Sequence, residues 1–357
     1  MQKGLETIES GDLEGKRIRL DVEFVRQDHK TCGPATLTSI ARYWDKPVAH
    51  LDVVEDICYD GTPAHSERAW AIKEGYATRE FRMDWDSAVA LIDRDIPFTL
   101  TTTEPGSAHL QAVIGYDSCR RTLLIRDPGD RHSREFDANA ALERYESTGP
   151  RGMAMVPKEK ADLLEGLELP ESDFYDVYFK LQLCLDKHDR DKATKYVDRL
   201  VKMNPDHRMT LMGKSVIARY DSDLTATLET TEKLLAKYPK DANLQLARIA
   251  CLSELGKAKD RIEMLRELNA APECHPMFWT QLASELLYDA REKESVDYLI
   301  RRSLKYQGAT PAPYSLIGAM MTKQENIAFF AHCRGIFSPR AGEGQPLITV
   351  SPREPIT

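Results

Sequence analysis

The sequence predicts an α+β domain followed by an all-α solenoid of helical repeats. The pattern of hydrophobic residues changes near residue 157. Short β-rich runs alternate with helical patterns before this point, and helical periodicity dominates after it. The C-terminal half also repeats with a period of about 34 residues. The composition is ordinary for a globular protein, because 42% of the 357 residues are hydrophobic and 30% are charged. This length predicts about two domains.

In the N-terminal part, the predicted order runs from helices to strands. "KRIRLDVEFV" alternates like a strand, and a helical period begins at Cys32 and extends to residue 44. Further short helices are predicted at 50–58, 64–75, 84–94 and near 137–146. The predicted strands are "IPFTLTTT", "HLQAVIGYD", "RTLLIRD" and residues 152–156. "HLQAVIGYD" is almost entirely apolar and should therefore be central. Helices followed by an antiparallel sheet is the order expected of a papain-like fold.

The C-terminal part contains five similar segments. They begin at Asp173, Met209, Asn243, Met277 and Ala312, in steps of 36, 34, 34 and 35 residues. Each segment holds two apolar-periodic stretches, and a proline often closes the unit (Pro205, Pro239, Pro276 and Pro311). Pairs of short helices at this period resemble tetratricopeptide repeats. A lone helix pair cannot bury its apolar face, so the units should stack into a curved solenoid.

These patterns divide the chain into five predicted segments. They are an N-terminal extension at 1–16, an α+β domain at 17–157, a linker at 158–172, helical repeats at 173–337 and a C-terminal tail at 338–357. The tail is rich in Pro and Gly, and "GQPLITVSP" has the pattern of a strand without a partner. We therefore expect the natural protein to continue beyond Thr357.

Charge and motif content argue against several classes of function. With 49 basic and 57 acidic residues, the net charge of −8 gives no general reason to expect a nucleic-acid partner. No apolar run is long enough to span a membrane, and the N-terminus does not resemble a signal peptide. Seven cysteines without a CxxC pair indicate reduced thiols and a cytoplasmic protein. Phosphate-loop motifs are absent, and Cys274-His275 is an isolated pair, so neither a cofactor nor a metal site is predicted.

The segment "VRQDHKTCGPATLTSIARYW" carries the strongest chemical signal. Cys32 stands where a loop becomes a helix, and the positive end of the helix dipole stabilises a thiolate there. Gln27 lies five residues earlier and could fold back, so that its carboxamide donates to an oxyanion together with the backbone N–H of Cys32. The alternative is a small buried thiol without chemistry.

A thiolate nucleophile usually works with an imidazole base. His109 opens the strand "HLQAVIGYD", and Asp127 ends the next strand 18 residues on, so a hairpin could place the two side by side. Asp127 could then hold the imidazole ring by its second nitrogen. Alternatively, His109 could be a hydrogen-bonded residue at a strand end, and Asp127 could serve the turn Asp-Pro-Gly. His29 is a rival base, only three residues before Cys32. His65 and Glu67 begin a helical stretch and indicate a solvated or capping face, with a substrate-side role as the alternative.

Three blocks of this sequence together resemble the bacteriocin-processing cysteine peptidases, the papain-like domains that remove double-glycine leader peptides. The blocks are a glutamine shortly before a Cys-Gly helix start, a histidine opening an apolar run that ends in "GYD", and a strand ending in Asp-Pro. The matching residues are Gln27, Cys32, His109 and Asp127, within roughly residues 20–157. The resemblance implies a Cys–His–Asp catalytic triad and an oxyanion glutamine. The residue before the cysteine departs from the family pattern, because Thr31 replaces an acidic residue. A companion transmembrane transporter is replaced by helical repeats.

The sequence therefore predicts an α+β papain-like cysteine peptidase domain followed by an all-α helical-repeat solenoid. The predicted activity is hydrolysis of peptide bonds in a peptide or protein substrate, with repeats that recruit this substrate or a protein partner. Two alternatives stay open. One is a non-catalytic adaptor that binds a peptide, and the other is an acyl transferase that uses the same triad on an amine.

Overall fold

The computed structural model describes residues 15–271, 274–287, 292–307 and 311–322. Nearly all of the predicted N-terminal extension, the residues from 323 to 337, Cys333 among them, and the tail at 338–357 lie outside the described residues. The described part of the chain begins with an α+β domain, and a helical region follows it. The predicted fold class is confirmed at this level. The predicted domain boundaries stay predictions.

The α+β domain is built on one antiparallel sheet of seven strands. The strands are β1 (Arg17–Arg19), β2 (Tyr76–Arg82), β3 (Phe98–Glu104), β4 (Ser107–Asp117), β5 (Thr122–Arg126), β6 (Arg134–Asp137) and β7 (Arg151–Pro157). They are ordered β2-β7-β3-β4-β5-β6, and β1 pairs with β4. The apolar run "HLQAVIGYD" is in β4, which pairs with β1, β3 and β5. Its predicted central position is thereby confirmed.

The strands β2 and β6 are absent from the predicted elements. The sequence of β2, "YATREFR", places charged residues where an apolar alternation is expected. Glu80 of this strand is nevertheless only 4% exposed, because Arg68 and Arg151 donate hydrogen bonds to its carboxylate. Its partners lie 12 and 71 residues away along the chain. The alternation pattern of a single strand does not reveal pairing of this kind.

Five α-helices accompany the sheet, and three of them precede β2. They are α1 (Cys32–Tyr43), α2 (His50–Ile57), α3 (Ala64–Lys73), α4 (Trp85–Ile92) and α5 (Ala138–Arg144), close to the predicted bounds. The helix α1 is buried from Gly33 to Ala41 because small and aliphatic residues fill it, and this makes it the central helix of the core. The Oγ1 atom of Thr36 donates to the carbonyl of Leu110 over 3.0 Å, which ties α1 to the start of β4.

The helical region follows a 3-10 helix at Lys158–Leu164. It comprises α6 (Ser172–Asp186), α7 (Arg190–Met203), α8 (Arg208–Tyr220), α9 (Leu224–Lys237), α10 (Ala242–Glu254), α11 (Ala258–Ala270), α12 (Pro276–Leu286), α13 (Lys293–Gln307) and α14 (Pro311–Thr322). Alternate helices begin at Ser172, Arg208, Ala242, Pro276 and Pro311, so the predicted steps of 36, 34, 34 and 35 residues recur in the helix starts. One part of the proline interpretation was wrong, because Pro276 and Pro311 open helices. Proline fits the first helical position, where no N–H is needed.

The chain separates into two compact units after Cys251. The first unit contains the sheet domain together with α6 to α9, and α6 packs against β2. Arg208 of α8 fastens this arrangement, because its guanidinium donates to the carbonyl of Thr148, to Glu171 and to the hydroxyl of Tyr175 over 3.0 to 3.1 Å. Gly149 has φ +61°, and a Cβ atom at this position would overlap the guanidinium of Arg208. A glycine is required there for both reasons.

Candidate active site

Cys32 is the first residue of α1, and the loop before it is held by local hydrogen bonds. The Oγ1 atom of Thr31 accepts from the backbone N–H of Asp28 over 2.8 Å and closes a turn. Lys30 has φ +60° within this turn. The backbone N–H of Cys32 belongs to the first turn of the helix, where no intrahelical acceptor exists. The thiol therefore sits at the positive end of a buried helix dipole.

Gly33 allows other elements to approach the cysteine closely. A methyl group at this position would come within 3.0 Å of the side chain of Thr62 and within 3.3 Å of Oε1 of Glu67. Both contacts are tighter than van der Waals packing tolerates without a shift of the neighbouring atoms. The Cys-Gly pair thus reflects dense packing around the first turn of α1.

His109 and Asp127 are brought together by the β4–β5 hairpin. The two strands pair antiparallel, with Ala112 opposite Arg126, so the start of β4 lies beside the end of β5. Nε2 of His109 lies 2.9 Å from Oδ1 of Asp127. The second ring nitrogen, Nδ1, is not bound by Asp127, and the interaction with Cys32 contributes to raising the pKa of His109.

The electrostatics of Cys32 and His109 favour a thiolate beside an imidazolium. Burial by itself raises the pKa of the Cys32 thiol, but hydrogen bonds with the His109 side chain and the Leu110 backbone, and the charge of His109, hold this pKa below its ordinary value. The hydrogen bond with Asp127, followed by that with Cys32, raises the pKa of His109 to about 9. Opposite charges in contact each favour the charged form of the other.

Asp127 is buried and held in place by three partners. Besides His109, the backbone N–H of Gly129 donates to Oδ1 over 2.8 Å, and Arg134 lies 3.1 Å from Oδ2. Burial raises the pKa of this carboxyl group, yet the hydrogen bonds from His109 and Gly129 and the charges of His109 and Arg134 hold the pKa below its usual range. The turn role and the contact with the imidazole, which the sequence leaves compatible, coexist in this residue.

Gln27 lies beside the loop that follows Asp127. Its backbone N–H donates to the carbonyl of Pro128 over 3.0 Å. Its side-chain oxygen Oε1 is buried without a hydrogen-bond partner among the described residues. A Cβ atom on Gly129 would lie 3.6 Å from the Gln27 nitrogen Nε2. Packing against this loop fixes the carboxamide, and no side-chain hydrogen bond links it to Cys32 within the described part of the chain.

Glu67 is a member of this site that was misassigned from the sequence. It is only 4% exposed, so the expected solvated or capping face was wrong for this residue. Its Oε2 atom accepts from Nη1 of Arg151 over 2.7 Å. Burial raises the pKa of Glu67 to about 7 against the effect of Arg151, and its charge opposes ionisation of Cys32. His65 is also mostly buried, with its Nε2 atom 2.6 Å from Asp186 of α6. A basic partner 84 residues from Glu67 leaves no local signal in the sequence.

Two other candidates from the sequence, His29 and Cys274, have different surroundings. His29 is exposed and its charge acts on Asp60. Burial raises the pKa of the Cys274 thiol to about 11, so this residue is a poor metal ligand as it stands. Within the described residues, no group of three or more His, Cys, Asp or Glu side chains could hold a metal ion. Over the same residues, no helix is both long and apolar enough to cross a bilayer.

Residues 19–153 match the model of a family described as Peptidase_C39 like. We refer to the matched segment as the C39-like domain, after the family that it resembles. It contains the helix that begins at Cys32, the β4–β5 hairpin with His109 and Asp127, and Gln27. The match to this family indicates a relationship to cysteine peptidases.

Two solved structures resemble parts of the chain. The peptidase domain of Streptococcus ComA, titled a bifunctional ABC transporter involved in a quorum-sensing pathway, has 25% identity and a TM-score of 0.31. The match covers 38% of this chain and 98% of that one. YrrB, titled a TPR protein with an unusual peptide-binding site, has 13% identity and a TM-score of 0.33, over 44% of this chain and 80% of that one. No curated protein has significant similarity to the chain. The C39-like domain followed by helical repeats agrees with the predicted organisation.

Proposed function

We propose that the protein is a cysteine peptidase that cleaves peptide bonds with Cys32 as nucleophile, His109 as base and acid, and Asp127 as the residue that positions the imidazole. One observation carries this proposal. Cys32 begins a buried helix, His109 lowers the pKa of its thiol, and Nε2 of His109 lies 2.9 Å from Oδ1 of Asp127. This arrangement activates a thiol in the way nucleophilic catalysis requires.

In the proposed reaction, the Cys32 thiolate attacks the carbonyl carbon of the substrate. A tetrahedral oxyanion forms, and the backbone N–H of Cys32 and the Gln27 carboxamide donate to it. The bond to the amine then breaks, and the His109 imidazolium gives its proton to the leaving nitrogen. In the second half, His109 takes a proton from water, which attacks the thioester and releases the carboxylic acid and the thiol.

The contact between Cys32 and His109 favours an enzyme over a non-catalytic adaptor. An adaptor needs neither the lowered pKa of the thiol nor the raised pKa of the imidazole. Acyl transfer would use the same residues with an amine in place of water. Product analysis with added amines distinguishes this reaction from hydrolysis.

The test is labelling of the full chain with a thiol-directed peptidase probe. We expect labelling of the wild type at neutral pH, loss of labelling in Cys32→Ala and a strong decrease in His109→Ala. Cys119→Ala is the matched control, because Cys119 is an exposed free cysteine in the same domain. Equal labelling of the wild type and Cys32→Ala would refute the proposed nucleophile. Labelling that His109→Ala leaves unchanged would remove the proposed base.

The helical repeats would bring the peptide or protein substrate, or a protein partner, to this site. Concave surfaces of stacked helix pairs are common binding surfaces for extended peptides. Deletion of the second compact unit, after Cys251, tests this role. If the repeats of that unit recruit the substrate, the shortened chain should keep labelling by the small thiol probe but cleave the protein substrate more slowly.

A further inference from the structure

A cavity of about 400 Å³ opens between the sheet of the C39-like domain and the first helices of the repeats. All of its lining residues lie between Ala64 and Leu244, within the first compact unit. Strand residues Thr101, Thr103, Ala108 and Arg151 form one wall, and the helices α6, α8 and α10 contribute to the other. The volume lies within the range of roughly 300–1,000 Å³ that is typical of ligand pockets.

The cavity is lined by a residue that is next to the candidate catalytic histidine in the sequence. Ala108 lines it and directly precedes His109, and Thr103 is its register partner on β3. Arg151 connects the cavity to the cysteine by a second route, because it also binds Glu67, whose charge acts on Cys32. The link between the cavity and the cysteine therefore runs through Arg151 and Glu67.

The helical wall combines apolar surface with polar groups that have no protein partner. Met209, Met212, Val216 and Leu244 supply the apolar surface. The side chains of Gln182 and Asn243, on α6 and α10, form no hydrogen bond with a described residue, so they can bind the backbone of a ligand.

The charges around the cavity leave one guanidinium unpaired. Arg208 is bound to Glu171, Arg151 is bound to Glu67 and Glu80, and the carboxylate of Asp241 accepts from the backbone N–H of Leu244. Arg219 is exposed and forms no ion pair or hydrogen bond within the described residues. A guanidinium in this state is complementary to a carboxylate of the ligand.

We propose that this cavity is a substrate subsite, shared by the C39-like domain and the repeats, for an acidic peptide in extended conformation. One large apolar side chain of the peptide fills the space against Met212 and Val216, and an Asp or Glu side chain of the same peptide pairs with Arg219. Gln182 and Asn243 bind its backbone. The description of the cavity as a substrate site rests on the proposed peptidase function. Peptide binding at the cavity can nevertheless be measured without cleavage.

The experiment uses the full chain with Cys32→Ala, so that bound peptides stay intact. A random linear peptide library is selected against this protein, and an enriched peptide is synthesised together with an analogue in which Asn or Gln replaces its acidic residue. We expect enrichment of peptides that combine a large apolar residue with Asp or Glu. Arg219→Glu should weaken binding of the acidic peptide by roughly tenfold or more, which is the scale of one charge-assisted hydrogen bond, and should barely affect the amide analogue.

Two further variants make the result specific to the cavity. Lys214→Glu is the matched control, since it makes the same change of charge on α8 at a residue that does not line the cavity, and it should leave both affinities unchanged. Met212→Trp fills the cavity and should weaken both peptides. The inference is overturned if no acidic peptide is enriched, or if Arg219→Glu and Met212→Trp both leave binding unchanged. If the selected peptide binds as expected but the wild type does not cleave it, the proposed hydrolysis fails while the subsite stands.

Discussion

Nη1 of Arg151 lies 2.7 Å from Oε2 of Glu67, and this carboxylate is a negative charge that opposes ionisation of Cys32. Arg151 also binds Glu80, and Arg68 joins Glu80 to Asp176 of α6. A series of buried charges thus runs from the first turn of α1 to the first repeat helix. The reactivity of the thiol and the stability of the first compact unit both depend on it.

Glu67→Gln should lower the pKa of the Cys32 thiol further. The substitution removes a negative charge that opposes the thiolate and keeps nearly the same side-chain volume. The measurement is the rate of alkylation by iodoacetamide as a function of pH. The midpoint should move to lower pH than in the wild type, while Glu55→Gln, on the neighbouring helix α2, should have no effect. A midpoint that moves upward would contradict the assigned electrostatic role of Glu67.

His109→Ala should raise the pKa of Cys32, because the thiol loses both a hydrogen-bond partner and a positive charge. In the wild type, the thiolate–imidazolium pair exists between the lowered pKa of Cys32 and the pKa of His109, which is about 9. Alkylation near pH 6 should therefore slow in the variant by about tenfold or more, since each pKa unit changes the thiolate fraction by about a factor of ten there. The two rates should converge above the ordinary thiol pKa. Equal rates near pH 6 would show that the imidazole does not activate the sulfur.

Asp127→Asn should reduce peptidase activity while the protein stays folded. The amide cannot supply the charge that raises the pKa of His109, so this pKa should fall from about 9 towards its ordinary value. The loss in kcat is expected at roughly 10- to 10⁴-fold, the upper value being that of a triad with a misoriented imidazole. Titration of the His109 ring protons by NMR measures the shift directly. Asp130→Asn, in the same loop, is the control, and a pKa of about 9 retained in Asp127→Asn would contradict the role of the carboxylate.

Arg151→Met should destabilise the first compact unit. Arg151 is 8% exposed, and its removal leaves the carboxylates of Glu67 and Glu80 buried without this partner. Loss of one partner from a buried ion pair costs about 3–5 kcal/mol. Urea unfolding followed by circular dichroism measures the change. Arg190→Met is the control, because Arg190 pairs with Asp221 at the surface and such pairs contribute little to stability.

Local sequence patterns were sufficient to predict the helix and the strand on which the candidate site is built. The apolar run after His109 predicted the central strand β4, and the helical period from Cys32 predicted α1. The period of the repeats predicted where alternate helices begin. These features depend on neighbours along the chain, which a single sequence displays directly.

Features that depend on contacts between residues far apart in the sequence could not be predicted from local patterns. Glu67 and Glu80 occur in polar stretches, and their burial is explained by contacts with Arg151 and, for Glu80, also with Arg68. The strand β2 was missed for the same reason. The roles of Cys32, His109, Asp127 and Gln27 stay predictions until the variants above are measured.

The hydrogen bond from Arg208 to the carbonyl of Thr148 means that the sheet domain depends on a helix that follows it in the sequence. In a fragment truncated after β7, the carbonyl of Gly149 would lose the hydrogen bond that it accepts from the hydroxyl of Tyr175. The carbonyl of Thr148 would likewise lose its hydrogen bond from Arg208. A shortened chain that keeps the C39-like domain intact should therefore extend at least through α9.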